Sequence, residues 1–576
     1  MDSLLVDPSG KPMSLPVVSR GRMRADSGDA GGWGGPGVTQ PLSSSVFPYE
    51  AANWQTQEMG NWLPWIRSPD AEINIYRDRM VARSRDLARN DGWASGGITR
   101  ILDNTVGAHL RLSSNPDYRA LAMMSKAKFD ASFANEFRRA VEALWRSYSE
   151  DLNHYNDVSR QLTTSQQLRL ALRHKLIDGD NLFVTHWLPE RIGRGAARYA
   201  TAFLLVDTDR LSNPYQMPDM KNLRGGVEID DYGVPIAYHI RKAHQNDWYN
   251  AQESMVWERV EREDEDGWRR VIHDFERDRA GQNRGIGVFT PVLAHAKMLA
   301  KYYGVELQAA TVASIFGLHV TSPYDPQMIE QAMDTDGAEL GFYQNMRADW
   351  ARDRPATLNG VRIPTLAPGE SIEPINGAHP HSGFIDFAHE MLRSEAACLG
   401  ISCEQMTQDW SKTNYSSARA ALLESWKTLT RRNTEFKTGT ATPYFSCWLH
   451  EVMENGELDD VLPNGAPDFI EAATAYSRCD WLGVGRGWVD PVKEKQGAIL
   501  GLDGCFSTLK RECAEQGLDW EEVIAQRSIE VKLFEENGLP LPDWSGGGAA
   551  AGDGPGAGNG ESPQMPRPRN PESDNG

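Results

Sequence analysis

Three places in this 576-residue chain carry side chains that could do chemistry. The run Glu261 to Asp266 (EREDED) sets carboxylates close together, the raw material of an acid–base pair such as glycoside cleavage uses. Its pattern puts it at a hairpin tip, where solvent withholds the desolvation that tunes a general acid. His379, His381 and His389 are metal-ligand types, but Pro380 divides the first two and no H-x-x-x-H or carboxylate completes a set. Turn and helix-start residues are the competing reading. Ser507-Thr508-Leu509-Lys510 fits S-x-x-K, a short and common string. The zinc motif H-E-x-x-H, the nucleophile elbow G-x-S-x-G and the phosphate loop G-x-x-x-x-G-K-[ST] are all missing. GVGRG at 483–487 is not the dinucleotide-binding G-x-G-x-x-G. The 18 tryptophans are scattered, as core or interface anchors are, rather than grouped as a sugar cleft requires. The expectation is no catalytic constellation, no cofactor and no metal.

The elements around these residues read as mechanical parts. Phe384, Ala388, Met391, Leu392, Glu395 and Leu399 follow helical spacing until Gly400 breaks it. About a dozen mainly polar residues intervene, and a second helix then begins near Ser416 or Ser417, either of which could cap it. Its stripe is Leu422, Trp426, Leu429 and Phe436. Upstream, Pro291 to Gly317 predicts a helix about 40 Å long, with proline at the first position. Beyond Glu306 that helix carries no charge, so its end must pack against protein. Residues 321–382 are rich in turn-formers.

From 45 to 289 the pattern is mixed. Ile73, Tyr76, Met80 and Leu87 share a helical face, with Arg79, Arg83, Arg85 and Arg89 largely off it. Those arginines suit a solvated face or subunit contacts better than DNA. Two hairpins follow, turning at Gly233 and at Asp266-Gly267. The fold class expected is α+β. Residues 1–44 and 545–576 are Gly-, Ser- and Pro-rich tails.

Composition sets bounds of its own. A net charge of −20 argues against a surface that grips nucleic acid all over, since that grip comes from Lys and Arg neutralising phosphates. Six cysteines without a C-x-x-C pair argue against a zinc or disulfide framework. There is no basic-then-apolar signal sequence and no stretch of about 18 apolar residues, so assembly in the cytoplasm without a membrane is expected.

The string LGISCEQMTQDWSKTNYSSARAALLESW at 399–426 closely resembles the signature of lambda-type phage portal proteins. RSRDLARNDGWASGGITRILDNTVG at 83–107, DGDNLFV at 178–184, VIHDFERDRAGQNRGIG at 271–287 and WVDPVKE at 488–494 occur in that family's order. The likeness covers roughly residues 45–510. It implies a homo-oligomeric ring, by family habit a dodecamer, at one capsid vertex, through which double-stranded DNA is packaged and ejected. It also implies partners: the terminase motor, the major capsid protein and scaffold, and later the head–tail connector. The resemblance further implies a flexible arm at 1–44, a wing at 45–289, a first stem helix at 290–320, a clip at 321–382 and a second stem helix at 383–400. A tunnel loop at 401–413, a tunnel-bordering helix at 414–440, a helical crown at 441–544 and a disordered tail at 545–576 complete it. In this scheme Gln405, Gln408 and Lys412 could touch phosphates, opposed by Glu404 and Asp409. Gln282, Arg284, Gly285, Asn414, Tyr415, Ser416, Ser417 and Arg419 are family-motif positions with structural roles. A virion location follows, with the host cytoplasm as the place of assembly. The other classes open on the residues alone are a hydrolase using the acidic pair and a scaffold protein without a channel.

Overall fold

The structure is a computed structural model. It describes residues 61–540 with Ala51 and Met59, except 194–196, 316–317, 322–348, 350–355, 359–360, 364–370, 375–382, 484 and 486–490. The chain divides into two units, Met1–Ile66 and Arg67–Gly576, and the fold described below is that of the second. Both predicted tails, and His379 and His381, lie outside the described residues.

Helix α1 (Pro69–Asn90) hands over at Asp91 to α2 (Gly92–Thr105), whose first turn is capped by the Asp91 side chain accepting from the Ala94 N–H. The buried face of α1 differs from the one predicted. Ile73 and Leu87 are buried, but Tyr76 is 55% exposed, and the inward positions include Arg77, Val81 and Ser84. A charged residue on the inner face hides the helical stripe from a reading based on apolar spacing alone.

After α3 (Tyr118–Met124), α4 (Ala131–Ser149) and α5 (Thr164–Ile177) come two antiparallel sheets. In the first, β2 (Asp180–Trp187) lies between β3 (Thr201–Val206) and β8 (Val271–Phe275). The second runs β4 (Leu223–Arg224), β5 (Val227–Ile229), β6 (Pro235–Arg241), β7 (Trp257–Glu261). Leu182, Val184, Val206 and Val271 from one sheet share a core with Val227, Tyr238, Ile240 and Val260 from the other. The hairpin expected at Gly233 forms, with Gly233 at φ +84°. The hairpin expected at Asp266-Gly267 forms only at its tip, through a bridge between Glu263 and Arg269. Beyond it β7 pairs with β6 and β8 with β2, so one turn stitches two sheets together.

The long helix predicted from Pro291 is α6 (Leu293–Ile315). The end beyond Glu306 was expected to pack against protein; among its described side chains Leu307 is 70% exposed within the chain. In the region rich in turn-formers, strands β9 (Leu318–Thr321) and β12 (Ser371–Pro374) pair, as do β10 (Ala356–Leu358) and β11 (Val361–Ile363). Then follow α7 (Phe384–Leu399), α8 (Cys403–Thr407) and α9 (Tyr415–Phe436). A π turn at Lys437–Ala441 carries α9 into α10 (Thr442–Glu454), and α11 (Phe469–Tyr476) packs beside it.

The region expected to be a helical crown is mainly helical, with α12 (Pro491–Asp503), α13 (Leu509–Glu515) and α14 (Trp520–Glu536). It also contributes a strand, β13 (Cys479–Leu482), which pairs antiparallel with β1 (Arg111–Ser114). Trp448, Tyr444 and Phe445 of α10 join Trp145, Phe183 and Phe203 in one aromatic core. The backbone runs on as helix through residue 440.

Candidate functional site

The helix–loop–helix from α7 to α9 holds the predicted DNA-facing residues, and glycine places it. Gly400 ends α7 in the left-handed region at φ +70°, which a side chain rarely adopts. A Cβ there would also lie 2.6 Å from Thr428 Cγ2, so the same glycine lets α7 approach α9 closely. From α9, Arg432 donates to the Leu399 carbonyl and satisfies a terminal acceptor of α7. Between the helices the chain is more ordered than a plain connector. Ser402 and Gln405 form a reciprocal capping box for α8: the Gln405 N–H donates to Ser402 Oγ at 3.1 Å, and the Ser402 N–H donates to Gln405 Oε1 at 3.0 Å. Ile401 and Met406 are buried against α2 at its Gly96-Gly97 pair, where a Cβ on Gly97 would sit 2.5 Å from Leu399 Cδ1. The SGG of the 83–107 motif is thus the seat of this loop.

The predicted loop residues do not share one role. Gln405 is committed to capping, whereas Gln408 and Lys412 are exposed. Gln408 adopts φ +58° and donates from Nε2 to the Gln405 carbonyl. The Asp409 carboxylate accepts from Ser411, which holds it below its ordinary range. The helix that follows is capped by Asn414, not by a serine. Asn414 Oδ1 accepts from the Ser417 N–H at 2.9 Å, and Ser417 Oγ donates back to Asn414. Tyr415 opens the helix, and Ser416, Ser417 and Arg419 are exposed on it.

The motifs DGDN and QNRGIG converge on a buried polar hub. Asp180 meets Arg77, Arg284 Nε at 2.7 Å and His273 Nε2 at 3.2 Å, all at the inner end of β2. Burial alone would push the Asp180 carboxyl up, but Arg284 and Arg77 outweigh it and hold it well below the usual range. Burial lowers His273, so its neutral ring donates to Asp180. Arg284 spends its other donors on the carbonyls of Leu211, Gly225 and Thr208. Gln282 accepts from the Asp278 and Arg279 N–H groups and donates to the Arg284 carbonyl. Gly285 has no room for a side chain, since its Cβ would lie 1.9 Å from the Gly179 carbonyl oxygen. Asn181 donates to Thr440 in the π turn, which itself donates to Asp274. Four consecutive residues, Asp178 to Asn181, therefore tie α1, the sheets and the end of α9 together.

Of the four arginines read as a solvated face, Arg85 is not free. It holds Asp178 through both carboxylate oxygens at 2.7 and 2.8 Å, with Asp207 and Asp209 each at 2.7 Å. His174 with Asp178 and Asp207, and His244 with Asp207 and Asp209, have metal-ligand spacing. Their carboxylates already neutralise Arg85, so a cation would have to displace a guanidinium. The signal in the sequence for these networks was the polar string Asp178-Gly179-Asp180-Asn181 leading straight into the apolar strand run LFV.

The other candidate chemistries lack geometry. Glu261 lies 2.9 Å from Arg259, Glu263 3.5 Å from Arg262, and both are exposed. Ser507 donates to Glu512 at 2.5 Å, while Lys510 sits 3.6 Å from Asp480 and is a poor base for it. His389 is partly exposed on α7.

The family description "Phage portal protein, lambda family" matches residues 55–433. Portal protein B of Escherichia phage lambda is 31% identical over 497 residues, covering 85% of this chain and 90% of that protein. The portal protein of Escherichia phage N15 is 31% identical over 504 residues, covering 86% and 92%. A solved chain from the neck of an empty GTA particle aligns at 13% identity and TM-score 0.36, covering 64% of this chain and 82% of that one. On the family match and the two relatives, the chain belongs to the lambda family of phage portal proteins, virion components whose work is structural rather than catalytic.

Proposed function

We propose that copies of this chain close by rotation into a ring, twelve by family habit, that forms the channel for double-stranded DNA at one capsid vertex. The observation that carries this reading is the motif-rich helix–loop–helix Phe384–Phe436, seated on Gly96-Gly97 and presenting Gln408 and Lys412 outward. A head-to-tail contact that closes would supply a neighbour for the exposed Val305 and Leu307 of α6. In the ring, α6 and α7 act as stem, the loop 401–413 borders the tunnel and the terminase docks on residues 321–382. That surface later receives the head–tail connector, while the major capsid protein and scaffold surround the wing.

The loop's chemistry suits sliding. Glu404 and Asp409 oppose Lys412, so no array of cations grips the phosphates, and the duplex can pass without the counterion release that would hold it. Capping fixes the loop's base while its outer residues stay free to touch DNA.

Negative-stain electron microscopy with mass measurement of the purified particle tests the ring. Rings of about a dozen subunits with a central hole are expected; a solid or open particle assembled on the scaffold would favour a scaffold protein without a channel. The loop is tested by Gln408→Ala with Lys412→Ala, which leaves the capping box intact. Rings should persist while DNA packaging or retention falls, and unchanged packaging removes the loop from the mechanism.

A further inference from the structure

Helix α14 attaches to the body in an unusual manner. None of its seventeen residues is fully buried, and Ile524, Ile529 and Leu533 are about half exposed. Its ion pairs to β1 and α4 come from the acidic N-terminal turn. Glu522 meets Arg146 at 2.7 Å and Arg111 at 3.3 Å; Glu521 meets Arg138 and, at 3.5 Å, Arg139; Asp519 accepts from Ser113 Oγ at 3.4 Å. Arg138 also lies over the Trp520 ring. Two carboxylates on one turn, Glu521 and Glu522, therefore satisfy four arginines from β1 and α4.

Under this turn lies a cavity of about 270 Å³, lined in part by Glu142, Glu150, Asp519 and Glu522. With α14 in place, Asp519, Glu521 and Glu522 lie at this face with the four arginines; when the helix leaves, those three acidic charges leave with it and the face becomes more positive. Arg111, Arg139 and Arg146 are 56, 73 and 63% exposed in their side chains even with the helix docked. The Arg111 and Arg146 pairs with Glu522 are exposed on both sides, individually weak and screened by salt, whereas Arg138 is 7% exposed beside Glu521 and is held more firmly. A polyanion can compete for Arg111, Arg139 and Arg146 without disrupting a core, and reaches Arg138 only once Glu521 has left it.

We propose that the Asp519–Glu522 turn is a displaceable internal phosphate mimic, and that the face made by Arg111, Arg138, Arg139 and Arg146 binds the backbone of double-stranded DNA when α14 swings away. Guanidinium groups pair with phosphate as they do with carboxylate, through parallel N–H donors. Double-stranded DNA is the polyanion chosen here because the choice rests on the portal reading above. The device itself rests only on the ion pairs.

The test uses the full chain and a short duplex of mixed sequence, read by fluorescence anisotropy at low and moderate salt. Glu521→Gln with Glu522→Gln should tighten binding about tenfold, because the competitor is weakened. Arg111→Ala with Arg146→Ala, both exposed positions, should weaken it about tenfold while leaving the thermal melt unchanged. Hydrogen exchange across 520–536 should rise on adding duplex to the unsubstituted protein. Equal affinity in the glutamine variant, unaltered binding in the alanine variant, or exchange at 520–536 indifferent to DNA would each overturn the proposal. Ring formation followed in the same samples keeps the two readings apart: intact rings with no effect of these variants reject the latch alone, and a latch that responds without rings rejects the portal channel alone.

Discussion

Arg284 and Arg146 each end 2.7 Å from a carboxylate oxygen, on Asp180 and on Glu522. The first pair is 2% and 1% exposed, the second 63% and 49%. At the hub, three further donors of Arg284 meet carbonyls, so much of the desolvation cost of both charges is offset. At the Arg146–Glu522 contact water offers itself as an alternative partner to both groups. Equal distances therefore mean different things. The hub fixes how α1, the sheets and the end of α9 sit together, while the latch holds one helix loosely enough to be exchanged. Burial, not the bond length, separates a lock from a switch.

The largest test of that contrast is Arg284→Ala. It leaves Asp180 buried beside only Arg77 and His273, and it should cost about 3–5 kcal/mol in chemical unfolding, enough to compromise the chain. A cost below about 1 kcal/mol would mean that the hub is as replaceable as a surface pair.

Glu395 gives an intermediate case, a buried carboxylate without a cation. It is 3% exposed on α7, and among the described residues no ion pair holds it. Burial, with Asp91 nearby, pushes its carboxyl up to about 7 from an ordinary 4.5. A raised acid favours the protonated folded state, so the contribution is complete below about 4.5 and is lost as pH climbs through about 7. Glu395→Gln should flatten the stability profile across that window by on the order of 2 kcal/mol. An unaltered slope in denaturation from pH 4.5 to 8 would place the titration elsewhere.

The smallest effect belongs to Glu522→Gln. Global stability should move by less than about 1 kcal/mol, and the remaining salt dependence of α14 protection should shrink. A loss as large as that of Arg284→Ala would erase the distinction between the two assemblies.

The parts of the fold legible in the sequence were those written in period and punctuation. Gly400 and the stripe through Ala388, Leu392 and Leu399 place α7 to the residue, and Pro291 announces α6. The cap of α9 was misassigned to serine because Asn414 and the serines are all good caps, and only the backbone angle at the junction chooses among them. Likewise the capping box engages the side-chain oxygen of Gln405, a use that the string alone did not suggest. The inner face of α1 was obscured by Arg77, whose burial depends on Asp180 about a hundred positions away. The pairing of β1 with β13 was out of reach, since four-residue strands separated by most of the chain leave no local trace.

By itself the sequence determined the α+β class, the order of the long helices, the glycines that end or admit them and membership of the portal family. These follow from local preferences and from strings that need no knowledge of neighbours. Tertiary structure alone decided which charges are locked and which are exchangeable, because an arginine and an aspartate read the same in any string. Their energetics are set by how much water the rest of the chain removes from around them.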